Sequence, residues 1–264
     1  MKNYIVIIIA SFSFASCTKE INIDLNSASP QIVIEGNITD QPAPYTVKLS
    51  KTVNFSESNN YPPVTGALVI ISDNTGVVDT LTETISGLYQ THSITGTQGN
   101  TYTLKVIAEG KQYNAVSTMP YKVNLDSIRF NPFAIPGSST TTFGAVPLYL
   151  DPVVSGNSYR FFLSANGKAA KSYLVSNDNV GNGTLNQNPL FSQDVEIHAG
   201  DSVKVTMCCI DVNTYNYYYT LSQLSGNGPG GGSTPSNPPN NITGTKALGV
   251  FSAYTMQIKT AIAQ

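Results

Sequence analysis

The chain has no tryptophan and only two histidines, His92 and His198, in 264 residues. Histidine is the side chain that changes charge near neutral pH and the commonest acid–base and metal-ligating group. His92 lies within an alternating segment and His198 just before a turn, in different halves of the chain, so each reads as a structural residue. Charge is equally scarce. Fourteen basic residues against 16 acidic ones leave a net charge of −2, and charged residues make up 11% of the chain. No basic cluster offers to neutralise phosphates, so nucleic acid and anionic lipid surfaces lack an electrostatic basis as partners. The three cysteines form no CxxC and no metal-type spacing. No G-x-S-x-G elbow joins a strand to a helix. The glycine-rich "GNGPGGGS" lacks the Lys-Ser/Thr ending of a phosphate loop. No cofactor, metal or catalytic residue is therefore assigned, and the chain reads as a non-enzyme.

Long apolar runs are missing too, with one short exception. Lys2 precedes the apolar Tyr4–Ala10, and Phe14-Ala15-Ser16 leads to Cys17. This is the layout of a secretory signal, and the run is far below the roughly 20 residues a membrane-spanning helix needs. The residues around Cys17 resemble a bacterial lipobox, with Phe14 where Leu is usual. That resemblance implies removal of residues 1–16 and lipidation of Cys17. Two or three acyl chains anchor stably where one does not, and residues 17–30 become a tether. The alternative is an ordinary signal peptide with Cys17 incidental. The remaining cysteines, Cys208 and Cys209, are adjacent. Neighbours on a strand point to opposite faces, so two free thiols, one buried and one exposed, are expected in preference to a strained vicinal disulfide.

What the sequence has in abundance is alternation of apolar and polar residues, broken by Gly, Asn, Asp and Pro. Ile32, Ile34 and Ile38 share one face of a first strand, and Tyr45, Val47 and Leu49 one face of a second. "NTYTLKVIAEGKQYNAVSTM" reads as a hairpin turning at Glu109-Gly110, with Tyr102, Leu104 and Val106 inward. About seven strands fit before Pro120, the spacing of an antiparallel sandwich. After it, "SQDVEIHAGDSVKVTMCCID" suggests two strands around Ala199–Asp201. The period then changes: Tyr217, Tyr218, Leu221 and Leu224 stand at helical spacing, with Asp211 or Asn213 as N-cap. The fold expected is mainly β: two antiparallel β-sandwich-like domains, residues 31–121 and 122–264. The second carries a short helix at 213–224 and a Gly/Pro-rich loop at 225–241 before a last strand.

Fifteen tyrosines make up for the missing tryptophan. On the helix, Tyr217 and Tyr218 share the face of Leu221 and read as core. Tyr215 and Tyr219 point elsewhere and join Asn227, Pro229 and Pro235 of the adjacent loop as the candidate binding residues. Paired aromatics stack on sugars or peptides alike, and the sequence does not choose. The oxygen-rich "SDNTG" at 72–76 and "DVNTYN" at 211–216 lack the closing Glu of a calcium loop and read as turn and cap.

In order along the chain, the lipobox, "IVIEGNITD", "PPVTGALVIISD", "GNTYTLKV", "LDPVVSGNSYRFFL", "YNYYYTLSQ" and "NPPNNITGTKALGVFSAY" resemble domain-of-unknown-function family 4249, outer-membrane lipoproteins of Bacteroidota. The first half also resembles carboxypeptidase-regulatory-like, prealbumin-type modules. The family resemblance implies a lipid-anchored outer-membrane β protein at the cell surface or on the periplasmic face, and surface display is the preferred expectation. It implies work beside a TonB-dependent β-barrel receptor as a non-enzymatic accessory, or else a structural or adhesive role without transport. "CTKEIN", with one acid at Glu20, is a weak form of the acidic export signal. Asp79–Leu81 and Asp126–Ile128 resemble the O-glycosylation motif of this phylum and read equally well as unmodified residues.

Overall fold

The computed structural model describes residues 29–54, 57–134, 141–179, 181–224 and 236–264. Eight strands occupy the first half: β1 (Ile32–Thr39), β2 (Thr46–Lys51), β3 (Leu68–Asp73), β4 (Val78–Thr80), β5 (Thr82–Ile85), β6 (Leu88–Gln90), β7 (Thr101–Ala108) and β8 (Lys111–Thr118). Then come β9 (Ser127–Ala134), β10 (Thr141–Leu148), β11 (Ser158–Ala165), β12 (Lys168–Ala169), β13 (Leu174–Asn177) and β14 (Ser202–Ile210). A helix, α1 (Val212–Leu224), precedes β15 (Ile242–Gly244) and the long β16 (Leu248–Ile262). The protein is thus mainly β, with sandwich-type packing and, among the described residues, one helix.

The alternation acts as a two-sided filter. Ile32, Ile34 and Ile38, then Tyr45, Val47 and Leu49, are all buried, as are Tyr102, Leu104 and Val106 of the β7–β8 hairpin. That hairpin turns at Glu109 and Gly110, both at positive φ (52° and 71°), the requirement of a two-residue turn that follows strand twist. A five-stranded sheet, β15-β8-β7-β3-β4, faces β16, β1, β2, β6 and β5 of a larger sheet. Tyr89, Tyr102, Phe251 and Leu104 fill the space between them.

The larger sheet has nine strands, running β12-β11-β14-β16-β1-β2-β6-β5 with β13 paired to β11. One strand carries it through both halves of the chain. The start of β16 lies parallel to β1, Leu248–Tyr254 against Val33–Thr39. Its remainder lies antiparallel to β14, Thr255–Ile262 against Cys209–Ser202. Gly249 makes the parallel contact possible: a Cβ there would stand 2.0 Å from the carbonyl oxygen of Ile34, and its φ is +100°.

Two findings bear on the expected domain limits. A second hydrophobic cluster does begin at Val123 and includes Tyr159, Phe161, Leu163, Val205 and Met207. Yet Ala247, Phe251 and Ala253 of the C-terminal half sit in the first cluster. Residues 31–121 therefore do not build their core alone, and one strand pairing departs from the antiparallel pattern.

Two local expectations are corrected. Residues 192–197 form no regular strand; Val195 and Ile197 are buried, and Phe143 N donates to Ile197 O at 2.9 Å. Alternation there reports burial, not a ladder. Cys208 and Cys209 are both free and both buried, because β14 is covered on its two faces: Cys209 packs in the second core, and Cys208 lies under α1. Burial pushes the Cys208 thiol up to about 12, so it carries no thiolate near neutrality. In a Cys17→Ser chain, a thiol reagent should find neither cysteine in the native protein and both in denaturant. Rapid native labelling of either would contradict this packing.

Candidate functional site

The residues on the outer face of the nine-stranded sheet are those the alternation turns away from the cores. They are Glu35 and Asn37 from β1, Thr46 and Lys48 from β2, Arg160 and Phe162 from β11, and Val250, Ser252 and Tyr254 from β16. Helix α1 lies over this face. Its start is fixed by Asp211, one of the two expected caps: Oδ1 accepts Thr214 N at 2.8 Å, and Oδ2 accepts the hydroxyl of Ser117. Ser117 Oγ in turn accepts Ala253 N at 2.8 Å. Thr214 Oγ donates to Ser252 Oγ at 3.1 Å, so the first turn is tied to both β8 and β16.

Between helix and sheet lies a cleft of about 490 Å³, within the range of small-molecule sites. Arg160 dominates it. Its guanidinium carbon stands 3.6 Å over the ring of Tyr218 and 4.4 Å from that of Phe162. Tyr218 also meets Tyr217 edge-on at 5.2 Å and Tyr173 at 5.8 Å. Stacking of this kind holds a guanidinium in place while leaving its edge donors directed outward. Among the described residues no carboxylate lies within ion-pair reach of Arg160; the cleft's acid, Glu35, faces Lys48 at 3.9 Å with both side chains more than half exposed. Burial raises the phenols of Tyr217, Tyr218 and Tyr254, with Arg160 drawing that of Tyr218 partly back. These hydroxyls stay protonated at neutral pH. The cleft offers aromatic faces, neutral hydroxyls and one uncompensated cation, a set suited to binding.

The structure places the residues expected from sequence as follows. Tyr217 and Tyr218, read as core, are half-buried walls of the cleft. Tyr215 and Tyr219 stack on each other at 5.6 Å on another flank of α1, with Tyr219 45% exposed. Cys17, Asn227, Pro229 and Pro235 lie outside the described residues. Asp73 closes its own turn, Oδ1 accepting from Thr75 N, Thr75 Oγ and Val77 N at 2.7–3.0 Å. Arg160, Tyr173 and Tyr254 were not singled out. A signal for Arg160 existed: it is one of two arginines in the chain and shares a strand face with Phe162.

A family model described as a domain of unknown function, DUF4249, matches residues 18–260. The chain belongs to that family. The DUF4249 match takes in the first core, all of the second but Ala263, α1 and the whole cleft. Among solved structures, a two-domain fibronectin type-III segment from chicken tenascin is similar at 13% identity and a TM-score of 0.22. It covers 69% of this chain and 91% of that segment, a likeness too slight to carry any equivalence. No curated protein matches. Among the described residues, no helix is long and apolar enough to cross a membrane.

Proposed function

We propose that this DUF4249 protein is a Bacteroidota outer-membrane lipoprotein, anchored through Cys17, that binds a ligand in the helix-covered cleft and acts beside a TonB-dependent β-barrel receptor without chemistry of its own. The observation that carries the binding half is Arg160, held between Tyr218 and Phe162 with no carboxylate partner among the described residues. A cation left uncompensated in a partly buried cleft is a position for an anionic group of a ligand. The phenols and the buried Cys208 thiol are held in their neutral forms, which supports recognition over acid–base or nucleophilic catalysis. The anchoring half rests on the leader: Phe14-Ala15-Ser16-Cys17 behind a short apolar run. Confinement to a membrane plane raises the effective concentration toward any partner there, so a modest interface suffices. Surface display is preferred to the periplasmic face.

The test is mild-detergent extraction with crosslinking. A β-barrel receptor should co-purify, enriched over a control lipoprotein, and Cys17→Ala should move the protein out of the membrane fraction. Recovery as a lone monomer would remove the receptor partnership and leave the structural or adhesive reading.

A further inference from the structure

A smaller cavity, of about 190 Å³, lies between the segment that follows β10 and residues 176–179 and 181–188. Two carboxylates line it, and both are almost wholly enclosed: Asp151 is 6% exposed and Asp178 8%. Asp151 Oδ1 accepts the hydroxyl of Tyr159, but Asp151 Oδ2 is buried with no hydrogen-bond partner among the described residues. Asp178 takes Gly156 N at 2.6 Å and Asn157 N at 2.9 Å, both on Oδ2. Among the described residues neither acid has an ion-pair partner; the acids that do are Glu35, Asp40, Asp79, Glu109 and Glu196. Among the described residues no lysine, arginine or histidine lines the cavity. Arg129 reaches one lining residue, Gln187, and donates to its amide oxygen.

Burying an ionised carboxylate is costly unless a cation or a full set of donors compensates it. Here two acids share one cavity, one oxygen has no donor among the described residues, and Ser176, Asn177, Thr184 and Asn186 bring further side-chain oxygens to the lining. We propose that this cavity is a calcium site, with Asp151 Oδ2 and the Asp178 carboxylate as its charged ligands. An all-oxygen set excludes a soft or borderline metal and selects a hard cation. Side chains and carbonyls borne on loops suit the irregular six- to eight-fold shell of Ca²⁺ better than the strict octahedron of Mg²⁺. The volume leaves room for several waters to complete that shell, each occupying about 30 Å³. No group of three or more Asp, Glu, His or Cys forms among the described residues, so the affinity belongs to the class of extracellular modules, about 10⁻⁴–10⁻³ M. The ion would clamp Asp151 and Asp178, and thereby the two loops that flank the β11–β13 edge. The site carries no local signature, because its ligands come from separate loops and match no motif.

Terbium, a calcium analogue, tests this directly. Tyr149 and Tyr159 stand beside the site with ring centroids 4.8 Å apart, and with no tryptophan in the chain tyrosine excitation alone can sensitise a bound lanthanide. In the chelator-treated full chain, Tb³⁺ emission should appear, fall on addition of excess Ca²⁺, and drop about tenfold or more in Asp151→Asn. Saturating Ca²⁺ should also raise the Tm of the unsubstituted protein by about 4 °C and leave Asp151→Asn unmoved. Emission that Ca²⁺ does not displace, or that survives Asp151→Asn, overturns the site. If Asp151→Asn does not fold, the calcium dependence of the unsubstituted melt decides: no shift overturns the proposal.

Discussion

A fragment of residues 29–121 is expected not to fold, although it contains eight consecutive strands and most of a hydrophobic core. It lacks β16, which supplies the parallel partner of β1 along all seven pairs from Val33 to Thr39. It also lacks Phe251 and Ala253, both fully buried in the first core. Losing one buried Phe side chain costs about 3–5 kcal/mol, against a total domain stability of about 5–15 kcal/mol; here a whole strand goes with it. Asn241, also removed, ties the two sheets together: its side-chain amide donates to Val116 O at 3.0 Å and Phe251 O at 2.7 Å, and its oxygen accepts Phe251 N at 3.1 Å. The check is circular dichroism with thermal melting. The fragment should show no cooperative transition, and appending residues 236–256 through a flexible linker should restore one. A cooperative melt of the bare fragment would mean that β1 tolerates an open edge.

The second large effect is expected at Asp79. It is 3% exposed and gathers the loop after β6 onto β4. Its Oδ2 accepts the backbone N–H groups of His92, Ser93 and Ile94 at 2.8, 2.6 and 2.9 Å, and Oδ1 faces His92 Nδ1 at 3.2 Å. Burial alone would raise this carboxyl, but the hydrogen bonds from Ser93, Ile94 and His92 outweigh it and hold it down at about 2. Asp79→Ala leaves three inward N–H groups without an acceptor and should cost about 3 kcal/mol, read as a lower urea midpoint with unchanged slope. Asp79→Asn, which keeps one acceptor, should cost less. The folded-state pKa lies below the ordinary 3.8, so the stabilisation is complete above about pH 4 and is lost as pH falls toward 2. At about 1.36 kcal/mol per pH unit, it amounts to about 2 kcal/mol. Both variants should flatten the acid limb of the stability curve. An acid limb unchanged in Asp79→Asn would show that other carboxylates govern it.

Much of the first sandwich was legible because one-sided burial writes period 2 into the sequence, as in Ile32, Ile34 and Ile38 or Tyr102, Leu104 and Val106. The helix was legible for the same reason at a different period, and Asp211 marked its start. Partner choice was not legible. Nothing local distinguishes a strand that pairs with its neighbour from one that pairs 215 residues away, and Gly249 becomes meaningful only once Ile34 is known to lie against it. The cleft was half visible. The tyrosines of α1 drew notice, but their face was misjudged because a helix over a sheet's polar face buries its rings without joining a core. Arg160 escaped because its partners, Tyr218 and Phe162, come from two elements. The buried position of both Cys208 and Cys209 escaped likewise: alternation predicts opposite faces, and only the helix overhead covers the second one.

The parallel pairing of β1 with β16 also sets an order of events in time. Synthesis proceeds at about 5–20 residues per second, so β1 waits roughly 10–40 s for a partner 215 residues downstream. Closing a loop of that length adds an entropic cost that shorter hairpins avoid, and such non-local contacts slow folding. The β7–β8 hairpin and the β1–β2 pair can form early, but the edge they leave open stays a template for any passing strand. The first sandwich to be made is therefore among the last to be completed. β1 keeps that edge open until Phe251 and the rest of β16 have been made.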